Sequence, residues 1–246
     1  MEPPKLKLPT EKQQPSKEWT RQKSLMIGPG KVGKSSFWAQ GEKTLFLATE
    51  PGLTHLACLQ VPIRSWEEAR EVYSLLLAAT PFPYDTLVVD TIDKLIALSH
   101  EEAVMRAREK FSKIAGEIHT IGDIPEGVGW YWSSNMIDMF LAKLKEFPAH
   151  LVLIGHVQTK EIKEPTRKYD KETINVGGQM GTKLLHWADH TLHVQARYTG
   201  ERLERVIRTL PSQTLEAGSR GRVVPDGMRW GEDDAANYAA FRKLFD

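Results

Sequence analysis

Gly28-Pro29-Gly30-Lys31-Val32-Gly33-Lys34-Ser35 matches G-x-x-x-x-G-K-[ST] at every fixed position. Before it, Ser24-Leu25-Met26-Ile27 is an apolar run that stops abruptly at glycine, as a buried strand does. After it, Ser36-Phe37-Trp38-Ala39-Gln40 opens a helix. Glycines let a backbone wrap closely round a polyphosphate, and the amide groups and helix start then face the anion. Gly28, Pro29, Gly30, Lys31, Val32, Gly33, Lys34, Ser35 and Ser36 are therefore the candidate nucleotide-binding residues. Among them, Lys34 is placed to reach the terminal phosphates and the Ser35 hydroxyl to ligate Mg²⁺. A nucleoside triphosphate with magnesium is the expected ligand, and we take it to be ATP.

Outward from this loop, further apolar runs read as buried strands. They are Thr44–Ala48, closed by Thr49-Glu50-Pro51-Gly52; Thr86–Asp90, ending in a carboxylate; and Leu151–Ile154, ending at Gly155-His156. Helices fall between them. Ser65-Trp66-Glu67-Glu68 is a capping box that opens one to about Ala79, a second runs from Ile92 to about Arg108, and a third from about Ser133 to Phe147. Residues 111–129 and 158–178 read as two long connections. Thr191–Tyr198 and Leu203–Leu210 alternate in polarity, as a meander at a sheet edge does, and a last helix ends at Phe245. Strands apolar on both faces, alternating with helices, predict a mostly parallel sheet covered on both sides, with antiparallel C-terminal edge strands. The fold class is α/β, a P-loop domain over residues 21–246, preceded by a flexible tail, residues 1–20, that carries Pro3, Pro4, Pro9 and Pro15.

Three polar residues end strands beside the loop. Asp90 can hold Mg²⁺ with Ser35, or simply cap the helix that follows. Glu50 follows the next strand after the loop helix, so it faces the same crevice and can deprotonate an attacking water; its alternative is a turn residue before Pro51-Gly52. His156 can sense the γ-phosphate, or be a satisfied core histidine. The eight histidines show no zinc-ligand spacing.

Composition sets the outer bounds. The 246 residues are 41% hydrophobic and 26% charged, with a formal net charge of +1. That is an ordinary globular balance without a global footprint for nucleic acid. No run is long enough to span a membrane, and the lone Cys58 fits a reducing compartment, so a cytoplasmic location is expected.

Taken in order, Gly28–Ser35, Leu47-Ala48-Thr49-Glu50, Leu87–Asp90, Ile154-Gly155-His156-Val157-Gln158 and Gly177-Gly178-Gln179 resemble the RecA-like recombinase core. With Arg205-Val206-Ile207-Arg208-Thr209, Pro211-Ser212 and Ala217-Gly218-Ser219-Arg220, the chain is similar to the phage-encoded RecA-like P-loop ATPases of the single-strand annealing type, over residues 24–225. The resemblance implies a RecA-like fold and a homo-oligomer, ring or filament, acting on single-stranded DNA in the host cytoplasm. It implies Glu50 and Lys34 as catalytic residues, and Arg205 and Arg208 as candidates for reaching a neighbour's γ-phosphate. It also turns both long connections, 111–129 and 158–178, towards DNA, the latter through Lys163, Arg167, Lys168 and Tyr169. On the residues alone that latter segment is nearly charge-balanced, and a solvated loop would look similar. His156 departs from the glutamine common in recombinases, and no further DNA-binding domain is evident, which favours annealing or loading over strand exchange. Two rival functions are a P-loop phosphotransferase and a nucleotide-gated adaptor for a protein partner such as a single-strand-binding protein.

Overall fold

The computed structural model describes residues 8, 10–12, 14, 16–200 and 202–246. The first half alternates strand and helix: β1 (Lys23–Gly28), α1 (Lys34–Trp38), β2 (Thr44–Ala48), β3 (Leu59–Pro62), α2 (Trp66–Ala78), β4 (Thr86–Asp90), α3 (Ile92–Lys110) and α4 (Val128–Leu144). The second half holds β5 (His150–Glu164), β6 (Arg167–Ile174), α5 (Gly178–Trp187), β7 (His190–Thr199), β8 (Arg202–Arg208), β9 (Gly218–Ser219), β10 (Met228–Trp230) and α6 (Asp234–Arg242). The sheet runs β10-β8-β7-β1-β5-β4-β2-β3, with β6 on β5 and β9 on β7. From β7 to β3 neighbouring strands are parallel, whereas β8 and β10 add antiparallel pairs at one edge. This is the RecA-like α/β arrangement expected from the sequence.

Side chains alternate across the central strands, and both faces are buried. Leu25, Ile27, Leu45, Leu47, Leu87, Val89, Leu151 and Leu153 join the core under α2, α3 and α4. Met26, Phe46, Val88, Val152, Ile154, Leu192 and Val194 join a second core with α1 and α6. There Tyr238, Phe241 and Phe245 pack edge-on against Trp19, Trp38 meets it at a tilt, and Phe37 packs edge-on against Phe241. Each large side chain so buried is worth about 1.5–3 kcal/mol. Trp19 was expected in the tail, yet it is 5% exposed and its Nε1 donates to Thr86. The folded unit therefore begins by Trp19. Residues 1–7, 9, 13 and 15 of the expected tail lie outside the described residues.

The two expected connections are more ordered than polarity suggested. Residues 158–178 form a β-hairpin: β5 continues past the sheet and pairs antiparallel with β6, from Val157↔Ile174 to Glu164↔Arg167. Its backbone bonds come from strand pairing, which needs no apolar pattern. Between α3 and α4, short 3-10 turns bury Ile118, Ile121 and Ile124. The helix that follows starts at Val128 instead of about Ser133, and Trp130 and Tyr131 at its start are exposed. No described helix is long and apolar enough to cross a membrane.

Candidate active site

Register decides what meets at the carboxyl edge of the sheet. Gly28 lies opposite His156, Ala48 opposite Asp90, and Asp90 opposite Ile154. The residues that follow these strands therefore converge on one crevice of about 520 Å³, lined among others by Gly30, Lys31, Gly33, Lys34, Ser35, Ser36, Glu50, Asp90, Thr91 and His156. A crevice outside the carboxyl ends of strands is where open α/β sheets bind ligands.

The loop from Gly28 to Lys34 turns through left-handed backbone at Lys31 (φ 61°) and Gly33 (φ 97°). The positive φ fixes glycine at Gly33, whereas at Gly28 a side chain would meet the Val194 backbone carbonyl, so that glycine is required by close approach. Lys34 is buried, and its Nζ donates to the carbonyls of Gly28 (3.0 Å) and Pro29 (2.7 Å). Burial lowers its pKa to about 8, against the opposing charges of Asp90, Asp93 and Glu50. Ser35 Oγ donates to Asp90 Oδ2 at 2.6 Å. Burial raises the Asp90 carboxyl above its ordinary range, partly offset by the Ser35 hydrogen bond. A serine hydroxyl and a carboxylate in contact are the hard oxygen donors that suit Mg²⁺, so the residues present fit that ion.

The opposite wall hangs on the first turn of α3. Thr49 Oγ1 accepts from the Thr91 amide (2.8 Å) and donates to the Thr91 carbonyl (2.9 Å). Thr91 Oγ1 donates to Glu50 Oε1 at 2.9 Å. Asp93 Oδ2 lies 2.7 Å from His156 Nδ1. Glu50, Asp93 and His156 offer ligand-type atoms all within 4.8 Å of one another. Thr91 and Asp93 were not singled out from the sequence, and Thr49 entered only as part of the run that ends at Glu50. The only signal was their place beside Glu50 and Asp90, because threonines and a helix-start aspartate look like ordinary caps.

Arg205 and Arg208 are both engaged within the protomer. Arg205 donates to the Val32 carbonyl (3.4 Å) and the Gly231 carbonyl (2.8 Å), meets Asp234 (3.4 Å), and stacks 4.4 Å over Trp230. Within the protomer it braces the phosphate loop of its own chain. Strand register helps place it there, since Arg205 on β8 lies opposite Trp230 on β10. Arg208 makes a two-pronged pair with Asp226 instead. The residues expected to face DNA also divide. Along the hairpin, Lys163 pairs with Lys168 on one face, while Glu164–Arg167 and Ile162–Tyr169 lie on the other. Lys163 and Lys168 both approach Glu161, and Arg167 donates to Glu164 at 2.6 Å. The four do not form one surface.

Together, the glycine-rich loop, its lysine and serine, and the strand-end aspartate in this sheet order define a P-loop nucleotide-binding domain of the RecA-like class. A family profile described as an AAA domain (AAA_24) matches residues 20–221, and the chain belongs to that family. It is a P-loop ATPase of that type, a class that binds ATP with Mg²⁺. No curated protein matches the sequence. Solved structures with a similar fold include the crystal structure of the RadB recombinase, 16% identical with a TM-score of 0.45, covering 87% of this chain and 88% of that one. Another is a KaiC-like protein from the hyperthermophilic archaeon Pyrococcus horikoshii OT3, 12% identical with a TM-score of 0.46, covering 87% of each.

Proposed function

We propose that this protein hydrolyses ATP at the Lys34–Glu50–Asp90 crevice and uses the cycle to act on single-stranded DNA, as a homo-oligomer, in phage-type recombination or annealing. The observation that carries the hydrolytic part is the convergence of Lys34, Ser35, Glu50, Asp90 and His156 on one crevice. Lys34 exchanges its two carbonyl partners for the terminal phosphates. Ser35 and Asp90 would hold Mg²⁺, which when bound would spread the developing phosphate charge. Glu50, fixed on one oxygen by Thr91, keeps the other oxygen for the attacking water and takes its proton. No acceptor hydroxyl is needed, which favours water over a phosphotransferase acceptor.

The DNA part is supported by continuity of the chain. His156 sits on the crevice and belongs to β5, which runs without a break into the hairpin that bears Lys160, Lys163, Lys168 and Lys171. Loss of the γ-phosphate felt at His156 therefore has a rigid path to the hairpin. The face with Lys163 and Lys168 is the one assigned to the phosphate backbone, in sequence-independent contact. Phosphate release measured with and without single-stranded DNA tests the proposal, and stimulation by DNA is expected. The Lys163→Ala/Lys168→Ala pair should weaken DNA binding and flatten its salt slope by about 0.7 per lost phosphate contact.

A second reading has its own observation. The hairpin cations are paired with hairpin carboxylates, so the surface is a mixed one that a protein partner could also read. Hydrolysis unaffected by DNA, together with capture of a single-strand-binding protein in the presence of ATP, would select that adaptor reading.

A further inference from the structure

We infer that Asp93 is the positioning residue of His156, and that through it the first turn of α3 sets how the β5 wall faces the nucleotide crevice. This rests on the reading of His156 as the side chain that reports nucleotide state. Three observations carry it. Asp93 Oδ2 and His156 Nδ1 are 2.7 Å apart, across 63 residues of sequence. The imidazole lines the crevice, with its side chain 32% exposed against 17% for that of Asp93, so the carboxylate backs the ring from the protein side. Asp93 lies one turn beyond Asp90, on the same α3 start whose Thr91 holds Glu50.

The chemistry follows from donor and acceptor counts. An ionised carboxylate only accepts, so the hydrogen in this contact belongs to Nδ1. A hydrogen bond at one ring nitrogen fixes the state of the other. Nε2 is thereby left without a partner among the described residues, and the ring plane is held by two points, Cβ and Nδ1. Without Asp93 the imidazole can rotate and exchange tautomers. The aspartate does not touch the nucleotide in this account, so it acts only through His156. Ordering of a ring by a carboxylate at its far nitrogen is a general device for placing a histidine in a site.

The test uses the full chain in two measurements. In the ¹⁵N spectrum of the ring nitrogens, with His156 assigned by its loss in His156→Gln, the neutral ring should carry its hydrogen on Nδ1. Asp93→Ala should abolish that preference, and Asp93→Asn, whose amide oxygen still accepts, should retain it. This readout requires no turnover, so it decides the inference even if the protein releases no phosphate. Second, in ATP turnover Asp93→Ala and His156→Ala should each lower kcat more than they raise KM. The double variant should be no slower than His156→Ala alone, because both remove the same interaction. Hydrogen on Nε2 in the parent, an Nδ1 preference that survives Asp93→Ala, or additive losses in the double variant would each overturn the inference. Phosphate release that is absent in the parent, with the Nδ1 preference as expected, would instead count against the hydrolytic reading alone.

Discussion

Arg205 has four partners inside its own chain, and two of them, the Val32 carbonyl and the Trp230 ring, hold the phosphate loop in shape. Trp230 is itself 2% exposed and donates from Nε1 to Asp234 at 2.8 Å, so the brace is continuous with the second core. Removing the guanidinium leaves partly buried acceptors without a charged donor, which costs about 2 kcal/mol. Arg205→Ala should therefore lower the denaturation midpoint and weaken ATP binding together. Arg205→Lys should rescue little, because a lysine can neither stack on the indole nor fork between two carbonyls. Mixing Arg205→Ala with Glu50→Gln should restore no activity, since each defect stays in its own protomer. Recovery of turnover in the mixture would return Arg205 to a role in trans. At this scale the sequence was readable where a motif has a fixed spacing. Lys34, Ser35 and Asp90 meet as expected. The brace that Arg205 makes was not legible, because its partners Val32, Gly231 and Asp234 lie 173, 26 and 29 residues away, and no spacing rule connects them.

Among the elements, those whose apolar pattern exceeds what a surface segment can carry were legible. β1, β2 and β4 match the expected runs, Ser65 caps α2 by accepting from the Glu68 amide, and α3 begins at Ile92. β3, β6 and α5 were missed. β3 is an exposed edge strand ending in proline, β6 is polar on both faces, and α5 opens with two glycines. Such elements are fixed by pairing and by packing against distant parts of the chain, which local pattern does not encode. One consequence lies at the opposite sheet edge from the crevice. His150 and His190 begin β5 and β7 on either side of β1, and both are buried against the Phe245 ring. Burial holds the pKa of His150 well below the ordinary value and lowers that of His190 from 6.5 to about 4. The folded pKa of His190 is depressed, so between about 4 and 6.5 the unfolded chain binds more protons and acid favours unfolding. Stability should fall as pH drops through 6.5 towards 4, with His190 contributing about 3 kcal/mol of the loss. Chemical denaturation across that range should show a shallower pH slope in His190→Gln. An identical slope would exclude His190 as the source.

For the whole molecule, both candidate arginines being engaged within the protomer leaves Lys31 and Lys34 as the cationic groups on the crevice lining among the described residues. A transition state with this much negative charge is stabilised further when assembly supplies a cation, an effect worth about 10³ or more in rate. The proposal therefore predicts that mass measured by light scattering rises on adding ATP, Mg²⁺ and single-stranded DNA, and that turnover per chain rises with protein concentration. Constant mass and constant specific activity over that range would mean that the protomer works alone.

On the proposed mechanism, Glu50 activates water in the crevice built by the phosphate loop. The most direct test is single-turnover phosphate release by the parent and by Glu50→Gln, with ATP affinity measured on the same samples. The variant keeps the shape and the acceptor for Thr91 but loses the base. Release should slow by about 10²-fold or more while ATP binding stays within about twofold. Equal losses of binding and release, or release at the parent rate, would contradict the account and return Glu50 to a turn residue before Pro51-Gly52.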